Sequence, residues 1–171
     1  TYNDHKTVIT FINSEYITEE NVAEKLKGQD GIVIGPGFGE RGSEGKVIAV
    51  HYTRTQDIPT FGICFGMQMM VVEFARNILG YVDANTRELN EKTSHNVIDI
   101  MEEQKTITNT GGTMRLGAFE CVLRQDSRVL NIYKQEHIQE RHRHRYEFNN
   151  EYLKEFERNG MLAVGRNPES D

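Results

Sequence analysis

Ten residues, Pro59-Thr-Phe-Gly-Ile-Cys-Phe-Gly-Met-Gln68, hold one cysteine between two runs of different period. Pro59 to Ile63 is short and apolar and predicts a buried strand, whereas Met67 to Leu79 is amphipathic and predicts a helix. Gly62 and Gly66 bracket Cys64 at the junction. Gly-x-Cys-x-Gly is the thiol form of the nucleophile elbow, a strand-to-helix turn too sharp for a Cβ on either side of the nucleophile. Such a turn lifts the side chain of Cys64 out of the sheet. It also puts that side chain at a helix N-terminus, whose unpaired N–H groups and dipole favour negative charge. The N–H of Phe65, the next residue, can then face a developing oxyanion. A cysteine at a strand end also serves as a small core residue; the paired glycines favour the nucleophile.

The rest of the chain predicts alternating elements. Thr7 to Ile12 reads as a strand, and Thr18 as the N-cap of a helix closed by Gly28. Gly31 to Gly35 reads as a strand covered on both faces, and Lys46 to Arg54 as a helix. Strand, helix, strand, helix, strand, helix argues for a parallel α/β sheet. The second half is less regular: strands at Val97 to Met101, Phe119 to Leu123, Ile138 to Phe148 and Met161 to Val164, a short segment at Val129 to Tyr133, a helix at Glu151 to Arg158, and a loop at Gly111 to Gly117. Neither a repeat nor a boundary signal divides it, so one domain over 1–171 is expected.

Composition excludes several function classes. A net charge of −6 argues against a broad nucleic-acid surface. Cys64 and Cys121 are the only cysteines, so no disulfide framework is implied, and two thiols fit a reducing compartment. No apolar run reaches membrane-spanning length. The expectation is a soluble cytoplasmic domain with no nucleic-acid or membrane partner.

Four other features carry chemistry. The loop Gly35-Pro-Gly-Phe-Gly-Glu-Arg-Gly42 leaves the C-terminal end of a predicted parallel strand, as Cys64 does, and ligands bind at that edge of open α/β sheets. Its glycines, Gly37 among them, let backbone amides approach a ligand, as an oxyanion hole or as a phosphate cradle. The spacing fits neither nucleotide-binding motif, and a plain surface loop is the third reading. Glu88 is a carboxylate in a polar segment, either solvated or able to receive a substrate ammonium. Arg141-His-Arg-His-Arg145 on a strand places its arginines on one face and His142 and His144 on the other. Arginine grips carboxylates bidentately, which makes this run a candidate for a substrate carboxylate. Two histidines without a third ligand give no metal site. A thiolate nucleophile commonly works with a histidine base. None of His5, His51, His95, His137, His142 and His144 falls in an obvious loop at the sheet edge, so the base is unidentified.

Gly62-Ile-Cys-Phe-Gly-Met-Gln68 resembles the nucleophile motif of the class I (triad) glutamine amidotransferases. Phe38-Gly-Glu-Arg-Gly42 with Glu44-Gly-Lys46, Glu73-Phe-Ala-Arg76, Ala84-Asn85 with Glu88, Gly111-Gly-Thr-Met-Arg-Leu-Gly117 and Glu140-Arg-His-Arg-His-Arg-Tyr-Glu147 resemble, in the same order, segments of the glutaminase domains of the CTP synthase family. The resemblance implies a flavodoxin-like open, mostly parallel sheet with helices on both faces. It implies that Cys64 attacks the side-chain amide of L-glutamine, forming a γ-glutamyl thioester and releasing ammonia. Gly37 and the Phe65 amide would hold the oxyanion, while Phe65, Gly66, Met67 and Gln68 line the glutamine site. Glu88 would take the α-ammonium and Arg145 the α-carboxylate. In that family a synthetase domain of the same polypeptide uses the ammonia, with ATP and Mg²⁺, to aminate UTP in pyrimidine biosynthesis, a ligase reaction; the full-length enzymes are homo-oligomers. No cofactor is implied for the glutaminase domain itself. The family's catalytic His and Glu lie in a His-Pro-Glu motif that does not occur here, and its first strand and helix are not recognised. The chain is therefore expected to be a piece truncated at both ends. Phe65 stands where the family usually has Leu, which the backbone role tolerates. Two alternatives are a glutaminase subunit serving another synthetase and a non-catalytic regulatory or assembly domain.

Overall fold

The computed structural model describes residues 4–100 and 115–168. The chain divides into two compact units, Thr1–Met70 and Val71–Asp171, each described by itself.

In the first unit, strand β1 (Ile32–Ile34) pairs in parallel with β2 (Thr60–Gly62), Ile32 facing Thr60 and Ile34 facing Gly62. Parallel neighbours need a crossover, and helix α2 (Ser43–Thr55) supplies it. Helix α1 is a single turn, Val22–Lys25. The core is Ile17, Val22, Leu26, Ile34, Ala49 and Val50, with Ile12, Ile32, Ile48, Tyr52 and Met70 packed against it. Helix α2 buries Ser43, Val47 and Val50, the four-then-three spacing of one helical face. A 3-10 turn, Ser14–Tyr16, lies so close to this helix that a Cβ on Gly45 would overlap the Ser14 carbonyl.

Three expectations shift here. Thr7 to Ile12 forms no regular strand, and Val8, Ile9 and Phe11 are exposed. β-branched and aromatic residues suit a strand, but a ladder partner makes one, and no described strand pairs with this segment. The residue capping α1 is Asn21, not Thr18; the Asn21 side-chain oxygen accepts the Thr18 N–H at 3.0 Å. In β1, Val33 is exposed although Ile34 is buried, so the strand is covered on one face only among the described residues.

Helix α3 (Phe65–Asn77) follows β2 almost where the periodicity puts it, and the division between units falls within it. In the second unit, β3 (Asn85–Thr86) runs parallel to β4 (Asn96–Ile100). Strand β5 (Arg115–Leu123) pairs antiparallel with β6 (His137–His144), and β7 (Tyr146–Phe148) antiparallel with β4. The last strand, β8 (Gly165–Arg166), joins the other edge of β5. Helix α4 (Arg128–Tyr133) connects β5 to β6, capped by the Ser127 hydroxyl, which accepts the Leu130 N–H. Helix α5 (Leu153–Arg158) carries the buried Phe156, whose ring lies 5.4 Å from Phe74 and 5.1 Å from Phe148. The class is mixed α/β with parallel pairing at β1/β2 and β3/β4; the other described ladders are antiparallel.

The second unit also departs from the reading in detail. The polar strand expected from Ile138 to Phe148 is two strands that split at Arg145. The short segment at Val129 to Tyr133 is helical, and the final strand forms at Gly165–Arg166 beyond Met161 to Val164. Strand β5 begins at Arg115 rather than Phe119. Residues 111–114 of the Gly-Gly-Thr-Met-Arg-Leu-Gly segment lie outside the described residues.

Candidate active site

Cys64 has φ of 54°, the left-handed region that a side-chain-bearing residue enters only at a cost of roughly 1–3 kcal/mol. The turn around it holds that conformation. The Gly66 N–H donates to the Ile63 carbonyl at 2.9 Å, and the Gln68 N–H to the Cys64 carbonyl at 3.1 Å, so α3 begins immediately after the cysteine. On the strand side, the Ile63 N–H donates to the Ile34 carbonyl at 3.0 Å and ties the entry to β1. Both flanking glycines sit where a Cβ has no room. One on Gly62 would lie 2.6 Å from the Met70 sulfur and 2.7 Å from the Met67 nitrogen; one on Gly66 would overlap the Ile34 carbonyl. The strand and helix are pressed together, and the side chain between them is forced outward: Cys64 is exposed while Phe65 is 2% exposed.

Of the other residues expected here, Met67 is exposed, at 40%, and Gln68 and Gly66 are buried. Gly37 reaches the turn: a Cβ placed on it would lie 3.6 Å from the Phe65 ring. The first unit thus gathers Gly37, Cys64, Phe65, Gly66, Met67 and Gln68 in one place.

The structure adds Lys46. Its Nζ donates to the Gly35 carbonyl at 2.8 Å and the Pro36 carbonyl at 3.3 Å, and lies 5.1 Å from the centre of the Phe65 ring. Burial pulls its pKa below the usual lysine value, and the charge of Cys64 pushes it partly back up. In the sequence Lys46 closes the Glu44-Gly-Lys46 segment at the start of a predicted helix; nothing there marks it as a partner of the turn.

Glu88 and Arg145 belong to the second unit, and both act on one phenol. Burial and the Glu88 carboxylate push the Tyr146 hydroxyl's pKa up, and the Arg145 guanidinium opposes them. Tyr146 stands in the Glu140 to Glu147 motif, but nothing in the sequence links it to Glu88. The loop bearing Glu88 is braced at both ends. The Asp83 carboxylate accepts the Ser94 hydroxyl at 2.5 Å and its N–H at 2.8 Å, bonds that lower the Asp83 pKa. Next to Glu88, Arg87 donates to Asp99 at 3.0 Å. Arg145 falls at the break between β6 and β7, which takes it out of the alternation that exposes Arg141 and Arg143 and half-buries His142 and His144.

The histidines are engaged with neighbours of their own. His51 meets Arg54, His95 stacks on Tyr81 at 3.9 Å, His137 meets Glu120 at 2.5 Å, and His142 and His144 share a 2.6 Å hydrogen bond. Among the described residues no group of three or more His, Cys, Asp or Glu is placed to hold a metal, and no helix is long and apolar enough to cross a membrane.

Residues 4–169 match the family model described as glutamine amidotransferase class-I. The chain is 67% identical over 171 residues to a CTP synthase of Bacteroides thetaiotaomicron, covering 100% of this chain and 32% of that protein. To a CTP synthase of Porphyromonas gingivalis it is 56% identical over 169 residues, covering 99% of this chain and 31% of that protein. The chain therefore spans about a third of the length of these curated relatives. Among solved structures it is similar to the Trypanosoma brucei CTPS glutaminase domain with bound acivicin, with a TM-score of 0.89 and 34% identity, over 96% of this chain and 63% of that one.

Proposed function

The chain belongs to the class-I glutamine amidotransferase family, and on that premise we propose that it is the glutaminase domain of a CTP synthase. The observation that carries the reading is Cys64: exposed, at positive φ, in a turn whose two glycines admit no side chain. The Cys64 sulfur attacks the side-chain carbonyl carbon of L-glutamine. The carbon–nitrogen bond breaks, the leaving nitrogen takes a proton and departs as ammonia, and a γ-glutamyl thioester remains for water to hydrolyse to glutamate. The N–H groups of Gly37 and Phe65 face the oxyanion of each tetrahedral intermediate. The proton-transferring base and its carboxylate belong to the family's His-Pro-Glu motif. A synthetase domain in the same polypeptide then aminates UTP with the ammonia, and ATP and Mg²⁺ serve that domain. The proposed setting is the cytoplasm, and the proposed full-length state a homo-oligomer. Similarity to a domain solved with acivicin, a glutamine analogue, supports glutamine as the substrate.

The test is covalent labelling. The full-length protein is incubated with a glutamine-like electrophile such as acivicin and digested for mass spectrometry. A rapid single adduct on Cys64, suppressed by excess L-glutamine, is the expected result. No adduct, or equal labelling of Cys64 and Cys121, would instead indicate a non-catalytic regulatory or assembly module.

Glu88 and Arg145 are proposed to hold the α-ammonium and α-carboxylate of glutamine, and their loss should weaken binding rather than chemistry. A hydrogen bond to a charged group contributes about 1.5–3 kcal/mol, or roughly 10- to 100-fold. Glu88→Gln and Arg145→Met should each raise the glutamine KM by about that factor while kcat changes little. Steady-state glutaminase kinetics check this, and an unchanged KM in both variants would remove these roles.

A further inference from the structure

We propose that Lys46 is a positioning residue that ties the two halves of the oxyanion hole together, one on the glycine loop and one at the start of α3. This deepens the glutaminase reading and rests on it. The two N–H donors assigned to the hole, on Gly37 and Phe65, come from chain segments 28 residues apart in sequence. The side chain of Lys46 touches both segments. Its ammonium is hydrogen-bonded to the carbonyls of Gly35 and Pro36, the latter belonging to the peptide unit whose N–H is that of Gly37. A proton donated to a carbonyl oxygen fixes the plane of its peptide, and so aims the N–H on the other side. The same ammonium lies over the face of the buried Phe65 ring, at 5.1 Å. It is also so near Gly37 that a Cβ there would come within 3.2 Å of Nζ. One cation thus orients the first donor and packs on the residue bearing the second.

Lys46 is suited to this place. It sits near the start of α2, 13 residues long, and that helix is locked against the 3-10 turn at Ser14–Tyr16 by the close approach at Gly45. The ammonium therefore stands on a rigid base. Its partners in the loop are backbone carbonyls rather than carboxylates, and the charge of Cys64 acts on it, so its positive charge is shared with the place where negative charge develops.

An oxyanion hole acts only when the oxygen becomes anionic, so its distortion lowers kcat and leaves substrate binding alone. The test uses the full-length protein carrying Lys46→Met, which keeps an apolar stem against Phe65 and loses the charge and its hydrogen bonds. Glutaminase kcat is expected to fall by on the order of thirtyfold, with the glutamine KM within about twofold of wild type. A glutamate γ-semialdehyde probe, which adds to the thiol and puts an oxyanion in the hole, should lose affinity by a similar factor. Circular dichroism and the thermal midpoint establish that the variant is folded. Should Lys46→Met fail to fold, Lys46→Gln is measured the same way, with the same loss in kcat and probe affinity expected. A folded variant with kcat and probe affinity within threefold of wild type overturns the inference, as does one whose KM rises in step with the loss of kcat. A wild-type protein that releases no ammonia from glutamine overturns the glutaminase reading first, and this inference with it.

Discussion

Replacing Cys64 by alanine is expected to abolish glutamine-dependent CTP formation in the full-length protein while ammonia-dependent formation continues. In the proposed reaction the sulfur is the atom that bonds to the substrate carbon, and an alanine methyl group has no lone pair to offer. Removal of a catalytic nucleophile costs on the order of a thousandfold in kcat or more. In the proposed scheme, the amination of UTP by added ammonia uses none of this chemistry. The backbone should survive the change, since Cys64 is exposed and alanine keeps the same Cβ in the same left-handed conformation. The assay is CTP formation with glutamine or ammonium chloride as nitrogen donor, at equal protein concentration. Equal loss of both activities would contradict the assigned role, because it would mean that Cys64 supports the fold or the synthetase chemistry.

Gly66→Ala should have the second large effect, through the backbone. A Cβ at Gly66 would overlap the Ile34 carbonyl, an atom of the neighbouring strand rather than the movable end of a side chain. Relief requires β1 and the start of α3 to separate, and that separation would undo the turn at Cys64. The expected cost is about 3 kcal/mol or more, in the range of severe core overpacking. Glutaminase activity should be lost with it, since the proposed oxyanion donors move too. Gly35→Ala is the contrast. No atom lies within 4 Å of the carbon it would add, and a stability change within about 1 kcal/mol of wild type is expected there. Urea denaturation of both variants, followed by circular dichroism, separates them. If Gly66→Ala unfolds at the same urea concentration as Gly35→Ala, the close contact between β1 and α3 does not govern the elbow.

Much of this site was legible in the primary structure because its chemistry is local. Gly62, Cys64 and Gly66 lie within five residues, and a turn that excludes Cβ atoms can be read from such a pattern without knowing what it packs against. Helix α3 was legible for the same reason, since a periodic apolar face needs only its own residues. The strands were harder. Thr7 to Ile12 has strand-forming residues and no described partner, while β5 extends four residues before the expected start because His144 to Glu140 pair with Arg115 to Phe119. A ladder is decided by the segment opposite, and no local signal reports it.

Lys46 and Tyr146 mark the same boundary for function. Nothing within ten residues of Lys46 points to Gly35 or Phe65; the helix axis and the crossover bring the ammonium to them. Tyr146 gains meaning only because Glu88, 58 residues earlier, acts on it together with Arg145. The order of residues along the chain was enough to point to a candidate nucleophile and to read its turn and the family, since each rests on spacing within a few bonds. Which cation meets the glycine loop, and which phenol feels both charged residues, was decided in three dimensions. Hydrogen bonds and Coulomb forces act over a few ångströms of space and take no account of separation along the chain.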